Sequence, residues 1–199
     1  MSNIEKTIKN LNGRGFDARY FPSGKEAVDY LASQLSGKTI GFGGSKTVES
    51  LGLFERLGDK NRVYWHWKQE RDEAHRNASE AEVYITSANA VAETGEIINI
   101  DATGNRVAST LFGKSQVYII IGINKIAEDY DKALWRARNI AAPLNARRFN
   151  KNTPCVKGEL RCYDCSSPER ICKGLVVLWG KMNSMDKVEV IIIGEELGF

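Results

Sequence analysis

Apolar positions along the chain switch repeatedly between a helical and a strand-like period. Residues 4–11 read as an amphipathic helix stopped by Gly13 and Gly15, and residues 16–21 as a strand. Residues 25–35 place Ala27, Val28, Leu31 and Leu35 on one helical face. A short strand at 38–42 runs into Gly43-Gly44-Ser45 and a helix over 46–57. A strand is expected at 62–67, with Val63, Trp65 and Trp67 on one side, then a polar helix at 72–79 and a strand at 83–87. Residues 89–93 read as a turn or short helix. Segments 96–100 and 106–109 read as a hairpin around Asp101-Ala102-Thr103-Gly104-Asn105, residues that tolerate positive φ. The nearly continuous apolar run at 116–123 fits a central strand covered on both faces.

Residues 129–149 form the clearest amphipathic helix, with Tyr130, Ala133, Leu134, Ala137, Ile140, Ala141 and Leu144 in one stripe and a kink expected at Pro143. Arginines 136, 138, 147 and 148 fall largely off that stripe and read as a solvated face. A loop from 153 to 167 is followed by a helix start at Ser166-Ser167-Pro168-Glu169, and a strand closes the pattern at 187–193. Strands alternating with helices define an α/β fold, an open sheet flanked by helices.

At 199 residues the chain suits a single domain, taken as 1–199 with a cysteine-bearing loop at 150–172. A net charge of +3, without a basic run interleaved with aromatics, argues against a nucleic acid partner. No apolar stretch is long enough for a bilayer, and the charged first residues do not resemble a signal peptide, so a cytoplasmic location is the expectation. Four tryptophans and many aliphatic residues need cover, which leaves a homo-oligomer open.

Candidate chemistry falls in three places. In Thr39-Ile40-Gly41-Phe42-Gly43-Gly44-Ser45-Lys46-Thr47, glycines at a strand-to-helix junction let backbone approach an anionic ligand, with Ser45, Lys46 and Thr47 as donors. Lys46 stands where a dinucleotide fingerprint needs glycine, and Ser45 where a P-loop needs it, so neither NAD nor ATP is indicated. A tight packing turn is the alternative. Ser87 to Gly95 follows a buried strand and should lie beside that loop. Glu93 is the candidate catalytic base, and Asn89, Thr94 and Gly95 candidate ligand contacts, against a carboxylate that merely caps a turn. His66 and His75 read as isolated from each other and from the cysteines.

The third place is the loop carrying Cys155, Cys162, Cys165 and Cys172, spaced C-x6-C-x2-C-x6-C. Four soft ligands fit Zn²⁺ or an iron–sulfur cluster, and Cys165 before a helix start favours thiolate. The alternatives are reduced, unligated thiols or a redox-active inner pair. Cys172 lies inside the expected helix and can serve packing alone.

Ile40-Gly-Phe-Gly-Gly-Ser-Lys-Thr47, Ser87 through Gly95, Val117–Ile126 with its Gly122-Ile-Asn-Lys125, and Thr153-Pro-Cys through Cys172 together resemble the lactate-utilisation (LUD-domain) family. That resemblance implies a fold like those of ribose-5-phosphate isomerase, glucosamine-6-phosphate deaminase and CoA transferases. It implies that the glycine loop and Ser87–Gly95 line a small-anion or CoA-ester site. Iron–sulfur subunits of a lactate-oxidising complex are then candidate partners, although the chain lacks a long ferredoxin-type extension. Three functions compete. The first is an accessory or small-anion-binding component of lactate or organic-acid metabolism. The others are an isomerase- or transferase-like enzyme on a phosphorylated or CoA-linked metabolite, and a cysteine-based metal or redox sensor.

Overall fold

The apolar runs become the strands of two sheets in a computed structural model that describes residues 3–199. The elements are α1 (Ile4–Gly13), β1 (Asp17–Phe21), α2 (Gly24–Gln34), β2 (Thr39–Phe42), α3 (Lys46–Ser50), α4 (Leu53–Gly58), β3 (Arg62–Tyr64), α5 (Arg71–Glu80), β4 (Val83–Thr86), β5 (Ala90–Ala92), β6 (Ile97–Asp101), α6 (Asn105–Leu111), β7 (Gln116–Gly122), β8 (Ile126–Ala127), α7 (Tyr130–Arg136), α8 (Ala142–Arg148), α9 (Pro154–Lys157), β9 (Gly174–Leu178) and β10 (Lys187–Ile193).

The main sheet has six parallel strands in the order β1-β10-β7-β4-β2-β3. Both faces of its centre are buried, and side-chain alternation divides β7 and β10 between two cores. Val117, Ile119, Ile121, Val188, Val190 and Ile192 pack with Leu11 of α1 and Ala78 of α5. Tyr118, Ile120, Ile191 and Ile193 pack with Ala27 and Leu31 of α2 and Leu53 and Leu57 of α4. Each buried aliphatic side chain contributes roughly 1.5–3 kcal/mol. The four-stranded second sheet, β8-β5-β6-β9, packs its small residues Ala90 and Ala92 against Ala133 of α7 and Ala137 just beyond it.

The chain leaves β2 toward β3 and leaves β4 toward β7, on opposite sides. Strand order therefore reverses between β2 and β4, and a crevice opens there beyond the strand ends.

Several local expectations change. The 46–57 helix is split by Gly52, whose φ of +63° ends α3 and starts α4. The strand at 62–67 stops at Tyr64 because the Gln69 side chain clamps the chain, accepting from Trp65 N and donating to Val63 O. Residues 90–92 are a strand rather than a turn. The expected second hairpin arm is helix α6, since the Asp101 carboxylate accepts from the amides of Ala102, Thr103, Gly104 and Val107 and folds the chain into a helical turn. β6 pairs with β5 and with β9, a strand the sequence reading missed. The long helix bends through a wide π-helical segment, Ala137–Ala141, which accommodates Pro143 in the first turn of α8. No helix begins at Ser166. There the Arg170 guanidinium binds the Cys165 and Cys172 carbonyls and holds the backbone in a loop. Among the described residues no helix is long and apolar enough to cross a membrane.

Candidate functional site

The crevice beyond β2 and β4 is a cavity of about 160 Å³. Its walls carry Gly44, Ser45 and Lys46 after β2, Ser87, Ala88 and Asn89 after β4, and His66, Trp67, Arg106, Lys125, Arg148 and Phe199 from elsewhere. Four of these side chains are Lys or Arg, and Asp101 supplies the one side-chain carboxylate among the lining residues. That carboxylate already receives four backbone amides and lies 3.6 Å from Arg106 Nε.

Lys125 is the best-placed cation. Only 4% exposed, it donates to Thr47 Oγ1 (2.8 Å), Ser87 Oγ (2.9 Å) and the Ala88 carbonyl (3.2 Å), so it joins the ends of β2 and β4. Burial, then the charges of Arg136 and Arg106, bring its pKa down to about 7. Arg106 reaches across from α6, donating to the Ser87 and Ile100 carbonyls and to the side-chain oxygens of Asn89 and Asn99. At the rim, Arg148 lies over the Trp67 ring at 4.7 Å and the Phe149 ring at 3.9 Å. Lys46, also at the rim, pairs with Glu49. His66 stacks on His75 at 4.2 Å, so the two histidines are not isolated from each other. Burial first, then the charges of His75 and Arg71, lowers the His66 pKa to about 4, leaving a neutral ring at physiological pH.

The glycine loop serves packing as much as the cavity. A Cβ on Gly41 would lie 2.7 Å from the Ala78 carbonyl oxygen of α5, and one on Gly43 would lie 2.8 Å from Thr86 Oγ1. Gly44 lines the cavity, and a Cβ there would press on the Trp67 ring at 3.0 Å. Ser45 caps α3 by accepting from Val48 N, and Thr47, fully buried, donates to the Leu197 carbonyl. Gly41→Ala is therefore expected to cost about 1–3 kcal/mol by pushing α5 off the sheet. Urea denaturation without any ligand measures it, and an unchanged midpoint would contradict this role.

The Ser87–Gly95 run divides between two ends of a strand. Asn89 stays at the cavity, but its side chain is a hub rather than a free donor: Oδ1 accepts from Ile100 N and Arg106. Strand β5 then carries the chain roughly 10 Å away over three residues. Glu93 stands at the far end, outside the cavity lining, where its carboxylate accepts from Asn3 N (2.8 Å) and Lys6 Nζ (3.1 Å) at the start of α1. The expected pairing of Glu93 with the glycine loop does not occur. Thr94 and Gly95 lie with it under Arg14, which donates to the Thr94 carbonyl and fills the space beside Gly95.

The solvated reading of the arginines also fails at two positions. Arg136 is buried and donates to the Asn89 and Asn124 carbonyls, and Arg148 forms a cavity wall. Arg106, Lys125, Arg148 and His66 were all missed as site residues. The Gly-Ile-Asn-Lys segment after the central strand was the one available signal, because a lysine just past a buried parallel strand sits where ligands bind.

Cys155, Cys162, Cys165 and Cys172 are all free and partly buried. Burial pushes the Cys172 thiol up to about 11 against the pull of Arg170, with Cys162, Cys155 and Cys165 adding to the rise. Among the described residues no three His, Cys, Asp or Glu side chains converge on a position for one metal ion.

The fold and cavity define an open α/β protein with a cationic pocket at its topological switch point. The LUD domain model matches residues 4–193, and the chain belongs to the LUD domain family. Its structure is similar to the crystal structure of a DUF162 family protein from Deinococcus radiodurans, with a TM-score of 0.58 and 13% identity over 96% of this chain and 95% of that one. No curated protein matches it.

Proposed function

We propose that this chain binds a small anion, a carboxylate or phosphate ester, in the β2/β4 crevice, as a cytoplasmic accessory component of lactate or related organic-acid metabolism. The observation that carries this reading is the charge imbalance of the cavity: Arg106 pairs with Asp101 and Lys46 with Glu49, which leaves Lys125 and Arg148 on its wall with no carboxylate partner among the described residues. A partly enclosed, cationic pocket stabilises negative charge more than an exposed lysine does. The lactate context comes from the resemblance in sequence.

Thermal-shift measurements against lactate, pyruvate, inorganic phosphate, sugar phosphates and CoA esters test it. An anion at about 100 times its Kd should stabilise the fold by about 2.7 kcal/mol. A panel with no stabilised member would contradict the reading.

One observation favours a second reading, an isomerase- or transferase-like enzyme. Lys125, with a pKa of about 7, is suited to exchange a proton with a bound substrate, and the Ser87 and Thr47 hydroxyls lie in contact with it. Turnover of any stabilising ligand, lost in Lys125→Met, distinguishes this from binding alone.

A further inference from the structure

Two cations on the crevice wall have no carboxylate partner among the described residues, and they stand at different stations. Lys125 belongs to the inner station, where the strands end. It donates to the Thr47 and Ser87 hydroxyls and to the Ala88 carbonyl. The Ser87 hydroxyl accepts from Lys125 and keeps its own proton, which makes only a long 3.4 Å approach to the Ala88 carbonyl. In the same cavity, the backbone amides of Gly44 and Ser45 donate to no acceptor among the described residues. Hydroxyl and amide donors beside a buried ammonium suit the oxygens of one anionic group.

Arg148 belongs to the outer station, in the last turn of α8. Its guanidinium lies over the Trp67 ring at 4.7 Å and the Phe149 ring at 3.9 Å, and its Nε donates to Asn145 Oδ1 at 3.0 Å. No hydrogen bond or ion pair among the described residues uses its Nη1 or Nη2. With Nε committed, the face left over is the Nη1/Nη2 edge, which matches two oxygens of a carboxylate or phosphoryl group. The two rings and Asn145 hold that edge in place before a ligand arrives, which lowers the ordering cost of binding.

The two stations share no contacting residue, so they receive separate charges. An acid with one anionic group satisfies one station and leaves the other cation unpaired in a partly enclosed site, where charges interact more strongly than in water. Between them the wall includes the small apolar side chains Ala141 and Ala142. At about 160 Å³ the cavity falls below the roughly 300–1,000 Å³ of sites for larger ligands, so both charges must sit on one small molecule.

On the reading of the crevice as an anion site, we propose that it selects a small acid with an anionic group at each end, a short dicarboxylate or a phosphorylated carboxylate. One end lies at Ser87 and Lys125, the other on the Nη edge of Arg148. Lactate, with a single carboxylate, fills one station only.

Isothermal titration calorimetry on the full chain, at constant ionic strength, compares matched pairs: succinate with butyrate, and 3-phosphoglycerate with glycerol 3-phosphate. The two-headed member of at least one pair should bind about tenfold or more tightly than its counterpart, the worth of one further hydrogen-bonded charge. The pair that shows the preference tells a dicarboxylate from a phosphorylated acid. In Arg148→Leu the preference should vanish, with circular dichroism monitoring the fold. Should leucine prevent folding, Arg148→Lys, which keeps the charge without the two-pronged edge, should lose most of it. Equal affinities within both pairs overturn the proposal and leave the anion reading standing. So does a failure of all four to bind while phosphate or pyruvate binds, or a preference unchanged in the folded leucine variant. If no anion of any kind binds, the underlying reading falls with it.

Discussion

Arg106→Ala is expected to remove about 3–5 kcal/mol of unfolding free energy, the cost of breaking a buried ionic network from one side. The guanidinium reaches two carbonyls, two side-chain amide oxygens and a carboxylate, and its side chain is only 12% exposed. Those acceptors belong to the end of β4, to β6 and to the turn before α6, so Arg106 fastens the second sheet to the first. Alanine leaves the Asn89, Asn99 and Ile100 oxygens without this donor. Lysine keeps the charge without the planar fork and should recover only part of the loss. Urea denaturation measures both variants. A cost below about 1 kcal/mol for alanine would mean that the network adds little beyond ordinary surface contacts.

Lys125→Met is expected to weaken anion binding by about 1.5–3 kcal/mol, or roughly 10- to 150-fold, the range for a hydrogen bond to a charged group. The pH dependence is more specific. The folded-state pKa of about 7 lies well below the ordinary lysine value of about 10.4. Below about pH 7 both states hold the proton, and the folded state bears the full penalty of a desolvated ammonium. Between there and the ordinary value the unfolded chain binds a proton that the folded chain lacks, so the folded state gains stability as pH rises. Anion binding runs the opposite way, because it needs the ammonium. Affinity should fall as pH rises above about 7, by up to about tenfold per pH unit, with proton uptake on binding near neutrality. Calorimetry in buffers of different ionisation enthalpy detects that uptake. Binding that is flat from pH 6 to 9 and unchanged in the methionine variant would remove Lys125 from the site.

The central parallel strands were legible because burial on both faces leaves an uninterrupted apolar run, as at Val117–Ile121 and Val190–Ile193. Elements set by one side chain were not. Asp101 turns an expected hairpin arm into α6, Gln69 cuts a strand short, and Arg170 keeps residues after Cys165 out of a helix. Half of the site was visible for a related reason. The Gly44–Lys46 and Ser87–Asn89 segments follow strands directly, so their position comes with the sheet. Glu93 misled because Ser87–Gly95 looks like one loop, whereas Ala90–Ala92 is extended and carries Glu93 to α1. Lys125, Arg106 and Arg148 arrive from separate elements, and only the tertiary fold brings their charges together.

Crystals soaked with the most strongly stabilising anion provide the most direct test of the crevice. Electron density for the anion is expected between Ser45, Lys125 and Arg148, in the space bounded by Trp67 and Asn89. Well-ordered anion density confined to another surface, with that space filled by protein side chains or left to water, would contradict the account.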